Sequence, residues 1–331
     1  MAFLSNCVSG TGDGNQRSFR RSFYRDARPQ RGLPRIDSPT PGRLRGLVTL
    51  SELANRFGTD KGTVLAAGHG YTLVYDLLFA QMRGQVTDLC EVGLSRGGPE
   101  VAGGAALRDV ADVPSVRMWR EFFPGVRILG VDISDCSQFG NDWFDFVQAD
   151  CGEPADLDRV AALGRQFDII VDDGSHASFH QQLTFLKLFP LLKPSGFYVI
   201  EDLDWQPDAY EASLPGVPRT DILLERFLRS RSFGDTGSLA AEDWARIAGQ
   251  IDAVYLFDQD WLDSHRRQVN VRAGAKADVE TPIDRRDRGG QSLKSLAGQA
   301  FRRIRSVAQG PENRLRFPSV KLAVVRKIAG P

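Results

Sequence analysis

The sequence predicts an α/β protein with a doubly wound, largely parallel sheet that an antiparallel strand pair closes. Strand-like and helix-like patterns alternate five times along the chain, and two separated strand-like runs follow. Several of the strand-like runs end in carboxylates, and open α/β sheets bind ligands outside the carboxyl ends of their strands. The predicted fold class therefore also indicates where the functional residues should lie.

Seven short apolar runs are predicted as strands, because each is rich in β-branched or aromatic residues and lies between polar or glycine-rich segments. They cover residues 86–93, 126–133, 146–150, 167–171, 197–200, 252–257 and 320–325. Helices are predicted where apolar residues recur with helical spacing or where capping residues precede them. They cover residues 47–57, 72–81, 116–123, 157–163, 178–192, 220–229, 240–249 and 293–307.

Composition divides the chain into five segments. Residues 1–46 are rich in Arg, Gly, Pro and Ser and are predicted to be a disordered basic extension. Residues 47–85 are predicted to form a helical cap and residues 86–261 the core. Residues 262–317 are predicted to be a basic, partly helical insertion, and residues 318–331 the final strand and tail.

The formal charge of the 331-residue chain is zero at pH 7, but the charge is unevenly distributed. Residues 1–46 carry a net charge of +6 and residues 265–331 one of +11, so the residues between them carry −17. A nucleic-acid enzyme needs a basic patch around its site, so this distribution predicts that nucleic acid is not a partner. An acidic middle instead suits a cation in the site.

Two features of the sequence bear on the compartment. No apolar run approaches the twenty residues of a membrane-spanning helix, and residues 1–8 are too short and uncharged for a secretory signal. The four cysteines have neither paired nor metal-like spacing, which is typical of reduced thiols. We therefore expect a cytoplasmic protein without a membrane span, and a homo-oligomer is compatible with the sequence.

Polar groups follow two of the predicted strands at the point where each strand ends. One strand leads into Asp172, Asp173 and His176. A later strand leads into Glu201 and Asp202. If the two strands are neighbours, their ends lie only about 5 Å apart, close enough for carboxylates from both to bind one cation.

Each of these polar residues also has a simpler explanation. Asp173 could serve a turn or a helix cap, His176 could be a cap or surface histidine, and Glu201 with Asp202 could be a solvated strand end. For Asp172 we favour the simpler role, as a residue of the loop itself. For the other four we favour a functional role: the carboxylates could bind a cation, and a histidine suits proton removal at neutral pH.

A cofactor site is predicted at the earlier strand ends. The first strand carries Glu91 and Gly93 before a glycine-rich loop, which suits a ligand that the backbone approaches closely. The dinucleotide fingerprint G-x-G-x-x-G is absent, because Gly93 is followed by Gly97 and Gly98, and this argues against NAD and FAD. Asp132 ends the second strand, where α/β folds place a carboxylate that binds a ribose diol.

Taken together, these residues resemble those of class I S-adenosylmethionine-dependent methyltransferases, and most closely the macrolide and polyketide sugar O-methyltransferases of the mycinamicin and tylosin type. The resemblance spans roughly residues 50–205 and the final strands. The motifs that carry it are Phe57-Gly-Thr-Asp-Lys61, His69-Gly-Tyr71, Tyr75, Glu91-Val-Gly93, Met118-Trp119, Asp132, Asp150, Asp172-Asp-Gly-Ser-His176 and Glu201-Asp202.

The resemblance implies a seven-stranded Rossmann-like methyltransferase sheet that uses S-adenosylmethionine and Mg²⁺ as cofactors. The implied substrate is a small molecule or glycan, methylated on a hydroxyl of a sugar or glycosylated natural product. Asp173, Glu201 and Asp202 would bind the metal ion, and His176 would be the general base. The residues implied to bind the cofactor are Glu91, Gly93, Asp132, Asp150, Lys61 and Tyr71.

Two other classes of function stay open. One is another metal-dependent enzyme on the same cluster, such as a hydroxylase or hydrolase. The other is a non-catalytic cofactor-binding protein, which gives no reason to keep five polar groups at two strand ends, where burial without partners is costly. Two segments depart from the family pattern: the loop after Gly98 contains an insertion, and residues 262–317 have no counterpart.

Overall fold

The computed structural model describes residues 48–64, 68–101, 104–105, 107–272 and 320–330. The predicted extension at residues 1–46 and the predicted helix at residues 293–307 lie outside this part of the chain. None of the described helices combines the length and the apolar character that crossing a membrane requires.

The described residues form one seven-stranded sheet. In chain order its strands are β1 (Asp88–Val92), β2 (Arg127–Asp132), β3 (Phe144–Gln148), β4 (Phe167–Asp172), β5 (Leu192–Ile200), β6 (Ile251–Asp258) and β7 (Val320–Lys327). Across the sheet the order is β3-β2-β1-β4-β5-β7-β6. The strands β1 to β5 are parallel, and β7 is antiparallel to both β5 and β6. The predicted doubly wound sheet with a closing antiparallel pair is therefore confirmed.

The helices of the described residues connect these strands or cover the sheet. They are α1 (Leu50–Phe57), α2 (Tyr71–Phe79), α3 (Pro114–Phe122), α4 (Pro154–Ala161), α5 (Ser178–Leu188), α6 (Asp208–Glu211), α7 (Thr220–Ser230), α8 (Ala241–Ala248) and α9 (Gln259–Arg272). Short 3₁₀ helices follow α2 at Ala80–Met82 and α5 at Phe189–Leu191.

Helix α1 begins at a complete capping box. Thr49 Oγ1 accepts a hydrogen bond from Glu52 N at 3.1 Å, and Glu52 Oε2 accepts one from Thr49 N at 2.8 Å. These two bonds satisfy backbone donors that the first helical turn leaves unpaired. Gly58 ends the helix in the left-handed conformation, which glycine adopts without a steric penalty. The helix ends at Phe57 as predicted, but it begins at Leu50 rather than at residue 47.

Several predicted boundaries are wrong, for identifiable reasons. Helices α3 and α4 begin at Pro114 and Pro154, before the predicted residues 116 and 157, because the fixed φ and missing N–H of proline suit the first turn of a helix. Strand β5 begins at Leu192 instead of residue 197, because Leu192 already pairs with Phe167 of β4 and a bulge follows before Phe197 pairs with Ile169.

Apolar side chains cover both faces of the sheet. Cys90 of β1 and Ile170 of β4 belong to one buried cluster, whereas their chain neighbours Leu89 and Ile169 belong to another. This division follows from the alternation of side chains along a strand. The short apolar runs of the sequence are therefore those of strands buried on both faces.

The register of the parallel strands brings three strand ends together. Val92 pairs with Asp172, and Asp172 pairs with Ile200, so β1, β4 and β5 end at one edge of the sheet. The loops that follow these strands therefore leave the sheet side by side. Backbone pairing alone places the polar residues after β4 next to those after β5.

Replacing Leu322 with alanine should destabilise the whole fold. Leu322 is fully buried in β7, which joins β6 to the parallel part of the sheet. Its loss should lower the free energy of unfolding by about 2–5 kcal/mol, because a truncated core leucine leaves a cavity. Chemical denaturation measures this change.

The matched control is Ile328→Ala, one residue beyond β7, where the side chain is 51% exposed. This variant should lose less than about 0.5 kcal/mol. Equal losses in the two variants would contradict the structural role given to β7.

Candidate active site

The polar residues predicted at two strand ends meet at one edge of the sheet. Asp173 directly follows β4, and Glu201 and Asp202 directly follow β5. Asp173 N donates to the carbonyl of the last residue of β1 at 2.8 Å, and Glu201 N donates to that of the last residue of β4 at 3.0 Å. One potential ligand atom from each of Asp173, His176 and Asp202 lies within 4.8 Å of the other two. These three side chains are therefore placed to bind one cation.

Backbone strain marks the same cluster. Four non-glycine residues of the described structure have positive φ, and two of them are His176 at 61° and Asp202 at 52°. Such a conformation costs about 1–3 kcal/mol and persists only where the surroundings impose it, which is common at functional sites. Both side chains line the same cleft.

Gly93 permits the loops after β1 and β4 to touch. Its φ is 84°, and a Cβ atom here would lie 1.9 Å from the carbonyl oxygen of Asp173. Any side chain at this position would push the two loops apart. The glycine is needed for the approach of Asp173 to the first strand, whatever ligand also contacts it.

Lys61 lies inside the carboxylate cluster. Its side chain is 2% exposed, and Nζ lies 2.5 Å from Asp173 Oδ2, 3.0 Å from Glu201 Oε2 and 3.5 Å from Glu91 Oε1. Burial alone would lower the pKa of Lys61, but the three carboxylates outweigh burial and raise it well above its usual range. The lysine predicted to bind the cofactor therefore contacts the predicted metal ligands as an ammonium ion.

Two tyrosines of α2 hold the other side of the cluster. Tyr71 and Tyr75 are four residues apart and lie on one face of the helix. The Tyr71 hydroxyl donates to Asp202 Oδ1 at 2.6 Å, and the Tyr75 hydroxyl donates to Glu201 Oε1. Tyr71, predicted to bind the cofactor, is thus a partner of a predicted metal ligand. Glu201 has both oxygens bonded, one by Tyr75 and one by Lys61, and does not line the cleft.

The cluster has more carboxylates than Lys61 can neutralise. Burial raises the pKa of Glu91, of Asp173 and of Glu201, even though the lysine acts in the opposite direction on each of them. Ionised carboxylates in a buried site are costly unless cations pair with them. A divalent cation bound by hard oxygen ligands would supply the missing charge, so the donor set fits Mg²⁺.

A second pocket lies beside the cluster, at the carboxyl ends of β1 and β2. It brings together three of the residues predicted to bind the cofactor, Gly93, Asp132 and Asp150. Ser175 and Tyr210 complete its polar and aromatic wall. This mixture of carboxylates, backbone and an aromatic ring fits a nucleoside. The other three predicted cofactor residues, Glu91, Lys61 and Tyr71, do not line this pocket.

Asp132 is largely occupied by the protein itself. Its Oδ2 accepts hydrogen bonds from Leu94 N at 2.7 Å and Ser95 N at 3.0 Å, and its Oδ1 accepts one from Ser134 N at 2.7 Å. The carboxylate therefore holds the glycine-rich loop in place. Arg108, from the inserted loop, donates to Ser95 Oγ at 2.7 Å and lies 3.7 Å from Asp132. The insertion thus packs against the predicted cofactor loop.

A further polar group in the pocket is formed by Asp150, Cys151 and His180, whose potential ligand atoms lie within 4.8 Å of one another. Burial raises the pKa of Cys151 to about 12, so its thiol stays protonated at neutral pH. His180 Nδ1 lies 2.7 Å from Ser175 Oγ, within the loop that leads to His176. We interpret this group as packing that supports the loop.

His176 lies in a cleft of about 790 Å³ that Asp173 and Asp202 also line. Its ring meets the ring of Trp205 edge to face, with centroids 5.3 Å apart, and its Nδ1 is buried without a partner in the described structure. His69 lies across the cleft, with Nδ1 3.5 Å from Asp202 Oδ1, and burial lowers its pKa. The cleft thus places two imidazoles beside the carboxylates of Asp173 and Asp202.

Sequence analysis missed three residues of this region: Arg108, Trp205 and Lys321. Trp205 is 44% exposed and lines the cleft, and its only sequence signal is that it comes three residues after Asp202. Lys321 belongs to β7, and its Nζ lies 3.9 Å from Asp202 Oδ1. Nothing local identifies Lys321, because only the antiparallel pairing of β7 brings it to the cleft.

Asp172 is a buried strand residue, so its prediction as a loop residue is wrong. It ends β4, is 3% exposed, and its Oδ2 accepts a hydrogen bond from the Tyr198 hydroxyl at 3.1 Å. Burial, with the nearby charge of Asp173, raises the pKa of Asp172 to about 7, although the Tyr198 bond acts in the opposite direction. The carboxyl therefore titrates near neutral pH beneath the site.

Replacing Asp172 with asparagine should change how stability depends on pH. Its pKa is about 7 in the folded protein against an ordinary 3.8, so folding is coupled to proton binding. The stabilisation is fully present below the ordinary pKa and is lost as pH rises through about 7. The asparagine has no such proton to lose. As pH rises from about 4 to about 8, the difference in unfolding free energy between the variant and the wild type should therefore shift by about 2–4 kcal/mol in favour of the variant.

Urea denaturation of metal-free protein across this pH range measures the difference. Asp142→Asn, at an exposed position, is the control and should follow the wild type. Parallel curves for Asp172→Asn and the wild type would contradict the raised pKa.

Comparisons with known proteins point to one kind of enzyme. No family model matches the chain. It is 40% identical to mycinamicin VI 2''-O-methyltransferase of Micromonospora griseorubida over 157 residues. These residues are 46% of this chain and 36% of that protein. Over 159 residues it is 37% identical to 8-demethyl-8-alpha-L-rhamnosyl tetracenomycin-C 2'-O-methyltransferase of Streptomyces olivaceus, covering 48% of this chain and 39% of that protein.

Among solved structures, the chain is similar to the MycE methyltransferase of mycinamycin biosynthesis in complex with Mg, SAH and mycinamycin VI. The identity is 30% and the TM-score 0.48, over 63% of this chain and 52% of that one. The chain spans little more than a third of the length of the curated relatives it matches. Over nearly half of its length it is similar to proteins named as O-methyltransferases, which confirms the resemblance carried by its motifs.

Proposed function

We propose that this protein is an S-adenosylmethionine-dependent, Mg²⁺-assisted O-methyltransferase that acts on a hydroxyl of a sugar or glycosylated natural product. The observation that carries the proposal is the meeting of Asp173, His176 and Asp202 at the strand ends, beside the pocket that Gly93, Asp132 and Asp150 line. The names of the similar proteins support the reaction, and one of those names includes a rhamnosyl group.

The pocket at the ends of β1 and β2 would hold the methyl donor. Asp132 would accept hydrogen bonds from the ribose with the lone pairs that the glycine-rich loop leaves free, and Asp150 would contact the adenine end. Gly93 would let the backbone approach the methionine end, since no side chain stands there. When bound, S-adenosylmethionine supplies the electrophilic methyl group.

Asp173 and Asp202 would be the principal metal ligands, and Glu201 the third. Their oxygens suit the hard Mg²⁺ ion, and the cleft leaves room for the acceptor. When bound, Mg²⁺ makes a coordinated sugar hydroxyl more acidic and holds it in place. Tyr71 and Tyr75 would fix the orientation of Asp202 and Glu201 through the bonds that they donate.

His176 would take the proton of the acceptor hydroxyl. It lines the cleft with the metal ligands, and an unpartnered Nδ1 leaves its ring free of any competing bond at that atom. Its left-handed backbone and its contact with Trp205 would keep the imidazole in one orientation. The hydroxyl oxygen, once deprotonated, would take the methyl group as its bond to sulfur breaks, with S-adenosylhomocysteine as the leaving group, while the carboxylates and the fixed imidazole would limit the motion of the acceptor.

Replacing His176 with alanine should lower methyl transfer by about 10²–10⁴-fold, the usual contribution of a general base. Binding of S-adenosylhomocysteine, measured by calorimetry, should not change. Transfer of a labelled methyl group to a panel of glycosides measures the rate. His265→Ala is the control, because His265 is stacked on Trp261 outside the cleft and should keep the wild-type rate.

A wild-type rate in the His176 variant would contradict its role as base. Failure of the unaltered protein to bind S-adenosylhomocysteine would contradict the whole proposal and favour another metal-dependent enzyme.

Removing the metal should abolish the activity reversibly. Treatment with EDTA should reduce methyl transfer by at least about tenfold, because the acceptor hydroxyl loses the ion that acidifies it. Added Mg²⁺ should restore the rate, whereas the same concentration of Na⁺ should not. A rate that EDTA leaves unchanged would show that the carboxylates do not act through a metal ion.

A further inference from the structure

Lys61 lies at the centre of the carboxylate cluster, yet the proposed reaction gives it no part. Its ammonium contacts Asp173 and Glu201, both proposed metal ligands, at 2.5 and 3.0 Å. The Lys61 side chain is only 2% exposed, so its ammonium depends on these carboxylates for partners. A metal ion that binds Asp173 and Glu201 must therefore share their oxygens with the ammonium or displace it.

We propose that Lys61 is a resident cation that competes with the divalent ion for Asp173 and Glu201 and so limits the affinity of the site for metal. The inference rests on the metal site of the proposed function. Without metal, the ammonium holds the two carboxylates together. With metal, two cations occupy one small buried site, where their repulsion is poorly screened.

The backbone keeps Lys61 at this place. Lys61 O accepts a hydrogen bond from Thr72 N at 3.1 Å, which ties the loop to α2. On either side of the lysine, Asp60 O accepts one from His69 N at 2.7 Å, and Gly62 N donates to Thr59 O at 3.3 Å. The lysine therefore cannot leave the cluster without breaking the loop, and only its flexible side chain can yield to a metal ion.

Glu91 gives the ammonium a third carboxylate partner, one that is not among the proposed metal ligands. Its Oε1 lies 3.5 Å from Lys61 Nζ, its side chain is fully buried, and it does not line the cleft. Its other oxygen accepts a hydrogen bond from Ser115 Oγ at 2.9 Å, which fixes the carboxylate. Glu91 therefore draws the ammonium away from Asp173 and Glu201, so the charges of Lys61 and Glu91 should affect metal binding in opposite directions.

The test is a titration of the full-length, metal-stripped protein with Mn²⁺, in which electron paramagnetic resonance measures the free ion. Lys61→Met removes the charge at nearly constant size and should tighten Mn²⁺ binding by about tenfold or more. Lys61→Arg keeps the charge and should stay close to the wild type. Lys187→Met is the matched control, since it removes a lysine paired with Asp158 at the surface and should have no effect.

The variant Glu91→Gln tests the opposite change in Mn²⁺ affinity. It leaves the ammonium with only Asp173 and Glu201 as partners, so Mn²⁺ binding should weaken by about threefold or more. Equal or weaker Mn²⁺ binding in a folded Lys61→Met protein would overturn the inference. If that variant does not fold, an unchanged affinity in Glu91→Gln would overturn it alone. The absence of Mn²⁺ binding in every variant would also overturn the inference.

Calorimetry with S-adenosylhomocysteine on the same proteins separates this inference from the proposed function. If the cofactor product does not bind but the Mn²⁺ affinities follow the expected pattern, methyl transfer is wrong and the inference holds. If the product binds and Mn²⁺ affinity ignores the charge at residue 61, the inference is wrong and methyl transfer holds.

Discussion

The pairing of one buried ammonium with several buried carboxylates is the constraint on which this site depends. Glu91, Asp173 and Glu201 come from three adjacent strands whose ends the register aligns, so their charges cannot separate without breaking the sheet. Leaving one member of such a group unpaired costs about 3–5 kcal/mol. Lys61 must therefore enter the cluster, and the helical cap that carries it is fastened to the sheet by charge as well as by apolar packing.

The same strand ends separate two environments that a transfer reaction needs. The pocket beside β2 offers carboxylates already bonded to the backbone, a setting that suits recognition of a neutral nucleoside. The cleft beside β4 and β5 offers carboxylates in excess of cations, which suits a metal ion. Gly93, Ser95, Glu100 and Gly174 line both the pocket and the cleft, so ligands bound in the two would be close neighbours.

Much of this arrangement could be predicted from the sequence, because the signals are local. A short apolar run followed by an acid predicts a strand end, and adjacent parallel strands bring such ends together, as happens for Asp173 and Asp202. The contacts of Lys61 with Asp173 and Glu201 could not be predicted, since they join residues more than a hundred positions apart and depend on how the α1–α2 loop folds back. The burial of Asp172 beside Tyr198 could not be predicted either, because the direction of its side chain depends on where β4 ends.

The position of β7 in the sheet affects the order in which the sheet can form. This strand lies between β5 and β6 although it follows both along the chain, so the sheet cannot close until this distant segment inserts between strands that are already present. The insertion also delivers Lys321 to the rim of the cleft. Pairings between distant segments form late in folding, because loop closure costs entropy before any contact repays it. In a nascent or partly unfolded chain, the carboxylates at the ends of β4 and β5 would therefore come together before Lys321 completes the rim of the cleft.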